Sequence, residues 1–187
     1  FPDYQLVTKD DLRGKFEDFW DTELDPNRGL TVVEIMDAVH ADEIRGMYIM
    51  GENPAMSDPD AQHAREALAK LEHLVVQDIF LTETAWHADV VLPASAHAEK
   101  VGTFSNTNRQ VQMVRQCVPM PGDARHDWWI IAEIGKRLGL EWNYEGPADV
   151  FAEMKLAMPS LDNITWERLE NENVVTYPCD DPESFGN

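Results

Sequence analysis

Met47-Tyr48-Ile49-Met50-Gly51-Glu52-Asn53-Pro54 sets a short apolar run against a glycine and a proline, and the reading of this stretch decides the fold. The run stops at Gly51 and reads as a buried strand. Beyond it, Asp58-Pro59 offers an N-cap followed by proline at the first helical position, and Ala61, Ala64, Leu68 and Leu71 form one face of the helix that follows. His73-Leu74-Val75-Val76-Gln77 is the next strand, Thr82 to Ala88 a short helical turn, and Asp89-Val90-Val91-Leu92 a third strand closed by Pro93. Strand, helix, strand, short helix and strand, with the strands apolar on both faces, predict a parallel sheet in an α/β nucleotide-binding fold.

On the N-terminal side, Phe16, Phe19 and Trp20 are spaced for a short amphipathic helix, ended by the turn Asp25-Pro26-Asn27-Arg28-Gly29. Thr31-Val32-Val33-Glu34 has the form of a capping box, with Val32, Ile35, Met36 and Val39 continuing at helical spacing up to Gly46. On the C-terminal side, residues 88 to 112 run from that third strand into a polar loop that holds Arg109. Past Pro119 and Pro121, Trp128, Ile131, Ile134, Gly135 and Leu138 pattern a helix whose end carries Lys136, Arg137 and Gly139. Pro147 opens another, with Val150, Phe151 and Met154 inward, which Pro159 ends, and Thr165-Trp166-Glu167-Arg168-Leu169 forms a last one. The expected division is residues 1–115 as part of a cofactor-binding α/β domain and residues 116–187 as a helical segment packing on it or on a neighbouring domain.

Composition narrows the function classes. A chain of 187 residues with 43% hydrophobic content can bury a core. Its formal charge of -20, from 35 acids against 15 Lys and Arg, argues against nucleic acid or an anionic membrane as partner, since both are met by basic patches. Neither a membrane-spanning apolar stretch nor a basic-then-apolar leader occurs. The two cysteines, Cys117 and Cys179, match neither a zinc knuckle nor an iron–sulfur run and read as free thiols in a reducing, cytoplasmic compartment. The six histidines supply no set of metal ligands at ligand spacing. The chain begins at Phe1 rather than methionine, which reads as a piece of a larger protein.

Two places carry chemistry. Gly51, Asn53 and Pro54 lie where a parallel strand delivers its C-terminal end, the position at which open α/β sheets bind ligands. Glycine there lets the backbone approach a pyrophosphate, and the next helix can turn its N-terminus to the same anion. Gln77 and Asp78 close the second strand at the same edge. Asp78 can accept from ribose hydroxyls or from guanine N–H groups, or cap a turn. Thr82 and Thr84 can cap the short helix or bind phosphate. The second place is Arg109, set among amide and hydroxyl side chains, where a guanidinium fork can grip a planar carboxylate.

The segments Val75 to Ala85, Ala88 to Gln112 and Asp127 to Ile131 closely resemble the molybdopterin guanine dinucleotide oxidoreductases, and among them the catalytic subunits of formate dehydrogenases. The resemblance runs from Phe1-Pro2-Asp3-Tyr4-Gln5 to Tyr177-Pro178-Cys179 and implies a Rossmann-like α/β domain. Gly102, Thr103, Phe104, Asn106, Arg109 and Gln112 match the pattern Gly-Thr-Phe-x-Asn-x-x-Arg-x-x-Gln, whose arginine faces the metal and orients formate in those enzymes. Gly51, Asn53, Pro54, Gln77, Asp78, Thr82, Thr84, Gly102, Asn106 and Gln112 are thereby implied to line the cofactor nucleotide, and Glu99 to bond its own loop.

The implied function is oxidation of formate to carbon dioxide at a molybdenum or tungsten centre held by two molybdopterin guanine dinucleotides. A [4Fe–4S] centre would lie elsewhere in the subunit. Partner subunits would carry further iron–sulfur, flavin and NAD sites. The cysteine or selenocysteine and the histidine that belong to the metal in this family have no counterpart here, so this piece by itself is expected to be inactive. Two alternatives stay open: a family oxidoreductase for another substrate such as nitrate, and a metal-free structural module of a respiratory NADH dehydrogenase.

Overall fold

The computed structural model describes residues 1–181. In chain order its helices are α1 (Asp10–Trp20), α2 (Val32–His40), α3 (Pro54–Ser57), α4 (Ala61–Lys70), α5 (Asp127–Arg137), α6 (Pro147–Ala157) and α7 (Trp166–Glu172). The strands are β1 (Gly46–Met50), β2 (His73–Asp78), β3 (Val90–Pro93), β4 (Gly102–Ser105), β5 (Gln110–Val114) and β6 (Val174–Thr176). They form two compact units, one comprising Gly29–Glu99 and Val118–Glu133, the other Phe1–Arg28, Lys100–Cys117 and the chain from Ile134 on.

The first unit holds the expected parallel sheet, in the order β1-β2-β3. The register sets Ile49 beside Val76 and Val76 beside Val91, so side chains in one row share a face. Ile49, Leu74 and Val76 pack on Ala55, Leu68 and Ala85 into one core, and Met36 and Val39 of α2 meet Ala64 and Ala67 of α4 in a second. The other face differs from the expectation of strands buried on both sides. Tyr48 is 42% and Met50 49% exposed there, and among the described residues only Gln77 is fully buried in the rows that share that face.

Two helix ends also differ from their sequence reading. The capping box is present, with the Thr31 N–H donating to Glu34 at 2.7 Å and the Glu34 N–H to the Thr31 hydroxyl at 3.4 Å. That helix stops at His40, however, because Asp42 turns the chain through a left-handed φ of 60°. Gly46 is thus the first residue of β1 and not a helix stop. The cap of α4 is Asp60, which accepts from the His63 N–H at 3.1 Å, and not Asp58, whose carboxylate is taken by the Asp60 N–H at 3.0 Å.

The second unit contains a sheet that the reading of a polar loop around Arg109 missed. Strands β4 and β5 form an antiparallel hairpin and β6 pairs with the far side of β5. Val111 and Met113 alternate inward, where they join Phe151, Ile164, Leu169 and Val175. The intervening Gln110, Gln112 and Val114 face the other way, and this short mixed alternation masked the strand. Helix α6 starts at Pro147 and a last helix, α7, covers Trp166 to Leu169, both as expected; the Thr165 hydroxyl caps α7, accepting from the Arg168 N–H at 3.0 Å. In α5 the buried residues are Ile130, Ala132 and Gly135, whereas Ile131, and Leu138 just past the helix end, both expected inward, are exposed. Phe16 of α1 is fully buried and stacks on Phe1 at 4.3 Å between ring centroids.

Candidate functional site

In the first unit the C-terminal ends of the parallel strands form a crest. Gly51 leaves β1 at φ 63°, a left-handed conformation natural to glycine, and its N–H donates to the Gln77 carbonyl at 2.9 Å. A Cβ built on Gly51 meets no atom within 4 Å, so the backbone there borders open space. Asn53 reaches across to the next strand's loop. Its Oδ1 accepts from the Thr84 hydroxyl at 2.8 Å and the Thr84 N–H at 3.1 Å, and its Nδ2 donates to Glu83 at 2.7 Å. Thr84 Oγ1 in turn accepts from the Ala55 N–H at 3.0 Å.

These bonds divide the sequence-predicted residues by role. Thr84 is fully buried, with its hydroxyl engaged inside the protein, and it fixes one crest loop to the other. Gln77 is also fully buried: its side-chain Oε1 accepts from the Tyr48 hydroxyl and its Nε2 donates to Asp127 at 2.8 Å. Burial, and next the Asp127 carboxylate, hold the Tyr48 phenol above its usual pKa. Asp78 accepts from the Phe80 N–H at 3.2 Å and Thr82 from the Ala85 N–H at 3.2 Å, each capping a turn at the half-exposed crest. Pro54 is buried at the first position of α3. That helix is a single turn that starts directly after Asn53, and α4 begins only at Ala61 behind the acidic cap Asp60.

Two carboxylates that sequence reasoning passed over belong to the crest. The Ser57 hydroxyl at 2.6 Å and then the Asn53 N–H at 3.1 Å hold the Glu52 carboxyl below the usual range. The Asn53 amide does the same for Glu83. Ile79, Phe80 and Leu81, which follow Asp78, are exposed apolar residues on this rim. Glu99 bonds its own loop as expected, accepting from the Ala96 N–H at 2.8 Å.

In the second unit the β4–β5 turn carries Arg109. Asn106 builds the turn: its carbonyl accepts from the Arg109 N–H at 2.9 Å and its side-chain oxygen from the Gln110 N–H at 3.0 Å. Arg109 takes the left-handed position, at φ 64°, where glycine or asparagine would be unstrained. Its carbonyl accepts from the Tyr177 N–H at 2.8 Å, which ties the turn to the strand end beyond β6. Gly102 pairs with Val114 and Gln112 with Phe104, both on β-ladder positions. Beneath the turn lies a cavity of about 350 Å³ with Arg109, Asn106 and Asp3 at its rim. Asp3 is fixed by the Tyr177 hydroxyl at 2.5 Å and the Ser160 hydroxyl at 2.6 Å. No sequence signal marked Asp3 or Ser160, whose partners lie at the opposite end of the chain.

Cys117 is exposed and Cys179 buried, and the two are not joined in a disulfide. Among the described residues no three His, Cys, Asp or Glu side chains form a metal-binding group, and no helix is long and apolar enough to cross a membrane.

Residues 13–137 match the family model of the molybdopterin oxidoreductases. The chain is 47% identical, over its whole length, to the F420-dependent formate dehydrogenase subunit alpha of Methanocaldococcus jannaschii, of which it covers 27%. It is 45% identical over 92% of its length to the putative formate dehydrogenase YrhE of Bacillus subtilis, of which it covers 18%. It therefore spans about a quarter or less of the length of these curated relatives. Among solved structures, acetylene hydratase from Pelobacter acetylenicus superposes on 98% of the chain with a TM-score of 0.66 at 21% identity, a likeness of fold. A parallel sheet ending in a polar crest, carried on a sequence of which residues 13–137 match that model, makes this chain a member of the molybdopterin oxidoreductase family.

Proposed function

We propose that this chain is part of the catalytic subunit of a formate dehydrogenase, in which the crest of the first unit holds one end of a molybdopterin guanine dinucleotide and Arg109 holds formate. The observation that carries the substrate assignment is Arg109 itself. An arginine kept in a left-handed turn position, at φ 64°, costs backbone energy that a glycine or asparagine would avoid, and such strain persists where a side chain is needed in place. A guanidinium offers a planar carboxylate two parallel N–H donors at any working pH. The names of the similar proteins, formate dehydrogenases in both cases given above, support the same substrate.

The crest fits the cofactor in one respect that does not depend on the resemblance. The open space over Gly51 leaves the backbone accessible to a bulky anion, and a side chain at that position would fill it. Gly51 and Asn53 from the first loop, and Asp78 and Thr82 from the second, would be the groups nearest such a ligand. Gln77 and Thr84 would serve by holding the loops in register from within. When bound, the cofactor supplies the metal that takes the electrons of formate; the chain's own share is to hold, orient and screen. The metal, whether molybdenum or tungsten, the iron–sulfur centres, and NAD-, flavin- and cluster-bearing partner subunits belong to this reading as implied by the family. So does a cytoplasmic location.

The test is Arg109→Ala in the complete enzyme. A charge-assisted clamp of about 1.5–3 kcal/mol corresponds to a loss of roughly ten- to hundredfold in kcat/KM for formate, with metal content and folding near normal. Lysine at the same position is expected to recover only part, since it lacks the planar fork. Wild-type formate kinetics in Arg109→Ala would refute the assignment.

A further inference from the structure

We propose that an aromatic recess between α1 and α6 of the second unit binds small alkylated ammonium ions, the cation lying against the rings of Phe19, Trp20 and Tyr144 and facing the Glu153 carboxylate. Neither the crest nor Arg109 contributes to it.

Local sequence builds the recess from two helix faces and a loop. Phe19 and Trp20 are the last two residues of α1, and both stay partly exposed, at 36% and 41%, although Trp20 also packs on Phe16 at 4.9 Å between ring centroids. Val150, Glu153, Met154 and Ala157 recur at helical spacing along α6 and line the other side. Tyr144, from the loop before α6, adds a third aromatic, and its hydroxyl donates to Glu153 at 2.6 Å. Burial, and after it that hydrogen bond, push the Tyr144 phenol up to about 12, so it keeps its proton and its ring stays uncharged. The recess measures about 230 Å³, below the rough 300 Å³ at which pockets for drug-sized molecules begin, so its ligand is small.

Charge names the class of ligand. Among the described residues that line the recess, Glu153 alone is charged, and its hydrogen-bond partner Tyr144 is neutral. Helix α1 adds to the negative potential: its C-terminal end, the negative pole of the helix dipole, carries Asp18 and Asp21 and no base in its last turn. The two cations of that helix are engaged elsewhere, Arg13 with Asp10 at 2.8 Å and Lys15 over the Phe16 ring at 5.6 Å. Aromatic faces attract cations, and the formal charge of -20 on the whole chain draws them to its surface. An alkylated ammonium suits the lining better than a bare one. A bare ammonium would give up the water on several N–H donors for a single carboxylate, whereas a methylated one has few or no donors to satisfy.

The experiment is titration of the protein with choline, with its neutral carbon analogue 3,3-dimethylbutan-1-ol and with ammonium chloride at constant ionic strength, read by calorimetry and by the indole N–H signals of the six tryptophans. Choline is expected to bind about tenfold more tightly than the neutral analogue, as a cation on aromatic faces implies, and more tightly than ammonium. The indole signal expected to move is that of Trp20. Glu153→Gln keeps an acceptor for the Tyr144 hydroxyl and is expected to weaken choline about two- to fivefold while leaving the neutral analogue unchanged. Trp20→Leu is expected to abolish the advantage of choline over that analogue. Because Trp20 also packs on Phe16, Phe19→Leu serves as the second ring variant and is expected to reduce the same advantage. Equal affinity for choline and the neutral analogue would overturn the proposal, as would choline shifts confined to other tryptophans. So would choline binding unchanged in both Glu153→Gln and Phe19→Leu.

Discussion

Asn53 and Thr84 clasp each other across the crest of the parallel sheet: Asn53 Oδ1 accepts from both the N–H and the hydroxyl of Thr84, at 3.1 and 2.8 Å, and Thr84 Oγ1 accepts from the Ala55 N–H at 3.0 Å. The loop that leaves β1 and the loop that leaves β2 are thereby held as one surface. Any ligand on that surface would depend on a pair of side chains of which one, Thr84, is wholly enclosed.

Thr84→Val keeps the shape of the side chain and removes the hydroxyl, so the Ala55 N–H loses its acceptor in a buried place. An unsatisfied buried donor costs about 1–3 kcal/mol. Denaturant unfolding is expected to report a loss in that range, with Thr84→Ser much closer to wild type. A valine variant as stable as wild type would mean that the clasp adds nothing.

Gly51→Val places a β-branched residue at φ 63°, where left-handed backbone costs about 1–2 kcal/mol. Gly51→Asn tolerates that conformation and is expected to lose less stability. Both put a side chain into the open space over the loop, so in the complete enzyme both are expected to lower cofactor occupancy, the asparagine variant without a matching fall in Tm. Full occupancy in Gly51→Asn would return Gly51 to the role of a turn residue.

Gly135 lies against the Trp142 ring, and a Cβ there would stand 2.4 Å from Cε3 and 2.6 Å from Cζ3 of the indole. Gly135→Ala is expected to destabilise by about 1–3 kcal/mol through overpacking, although alanine is the better helix former. Removing the ring with Trp142→Ala is expected to absorb most of that penalty, giving a strongly non-additive double-mutant cycle. Additive losses would show that the contact is not what requires glycine.

The Glu52 and Glu83 carboxyls are both held below their usual pKa, by the Ser57 hydroxyl and the Asn53 amide respectively as the leading causes. A depressed folded-state pKa contributes stability that is present above the unfolded value and is lost as pH falls through the folded one. Thermal unfolding followed downward from neutral pH is expected to show a loss below the ordinary carboxylate range, around pH 4 and under. That loss should be smaller in a Glu52→Gln, Glu83→Gln double variant. An identical acid profile for variant and wild type would exclude these two groups.

The parallel sheet was legible in the chain because its signals are local. Four apolar residues ending at Gly51, the run His73 to Gln77, and the run ending at Pro93 each carry their own boundary, and the Thr31–Glu34 capping box needs only residues three apart. The motif around Arg109 was likewise written in a few consecutive residues. What only the tertiary structure decided depends on partners distant in sequence. Strand β5 gains β6 from beyond α7, and Gln77 is enclosed because Tyr48 and Asp127 meet its amide. Asp3 is set at a cavity rim by Tyr177 and Ser160 from the other end of the chain. Local pattern specifies which backbone each segment prefers; which buried polar groups find one another is settled by the fold, since an enclosed donor or acceptor must be paired wherever its partner lies along the chain.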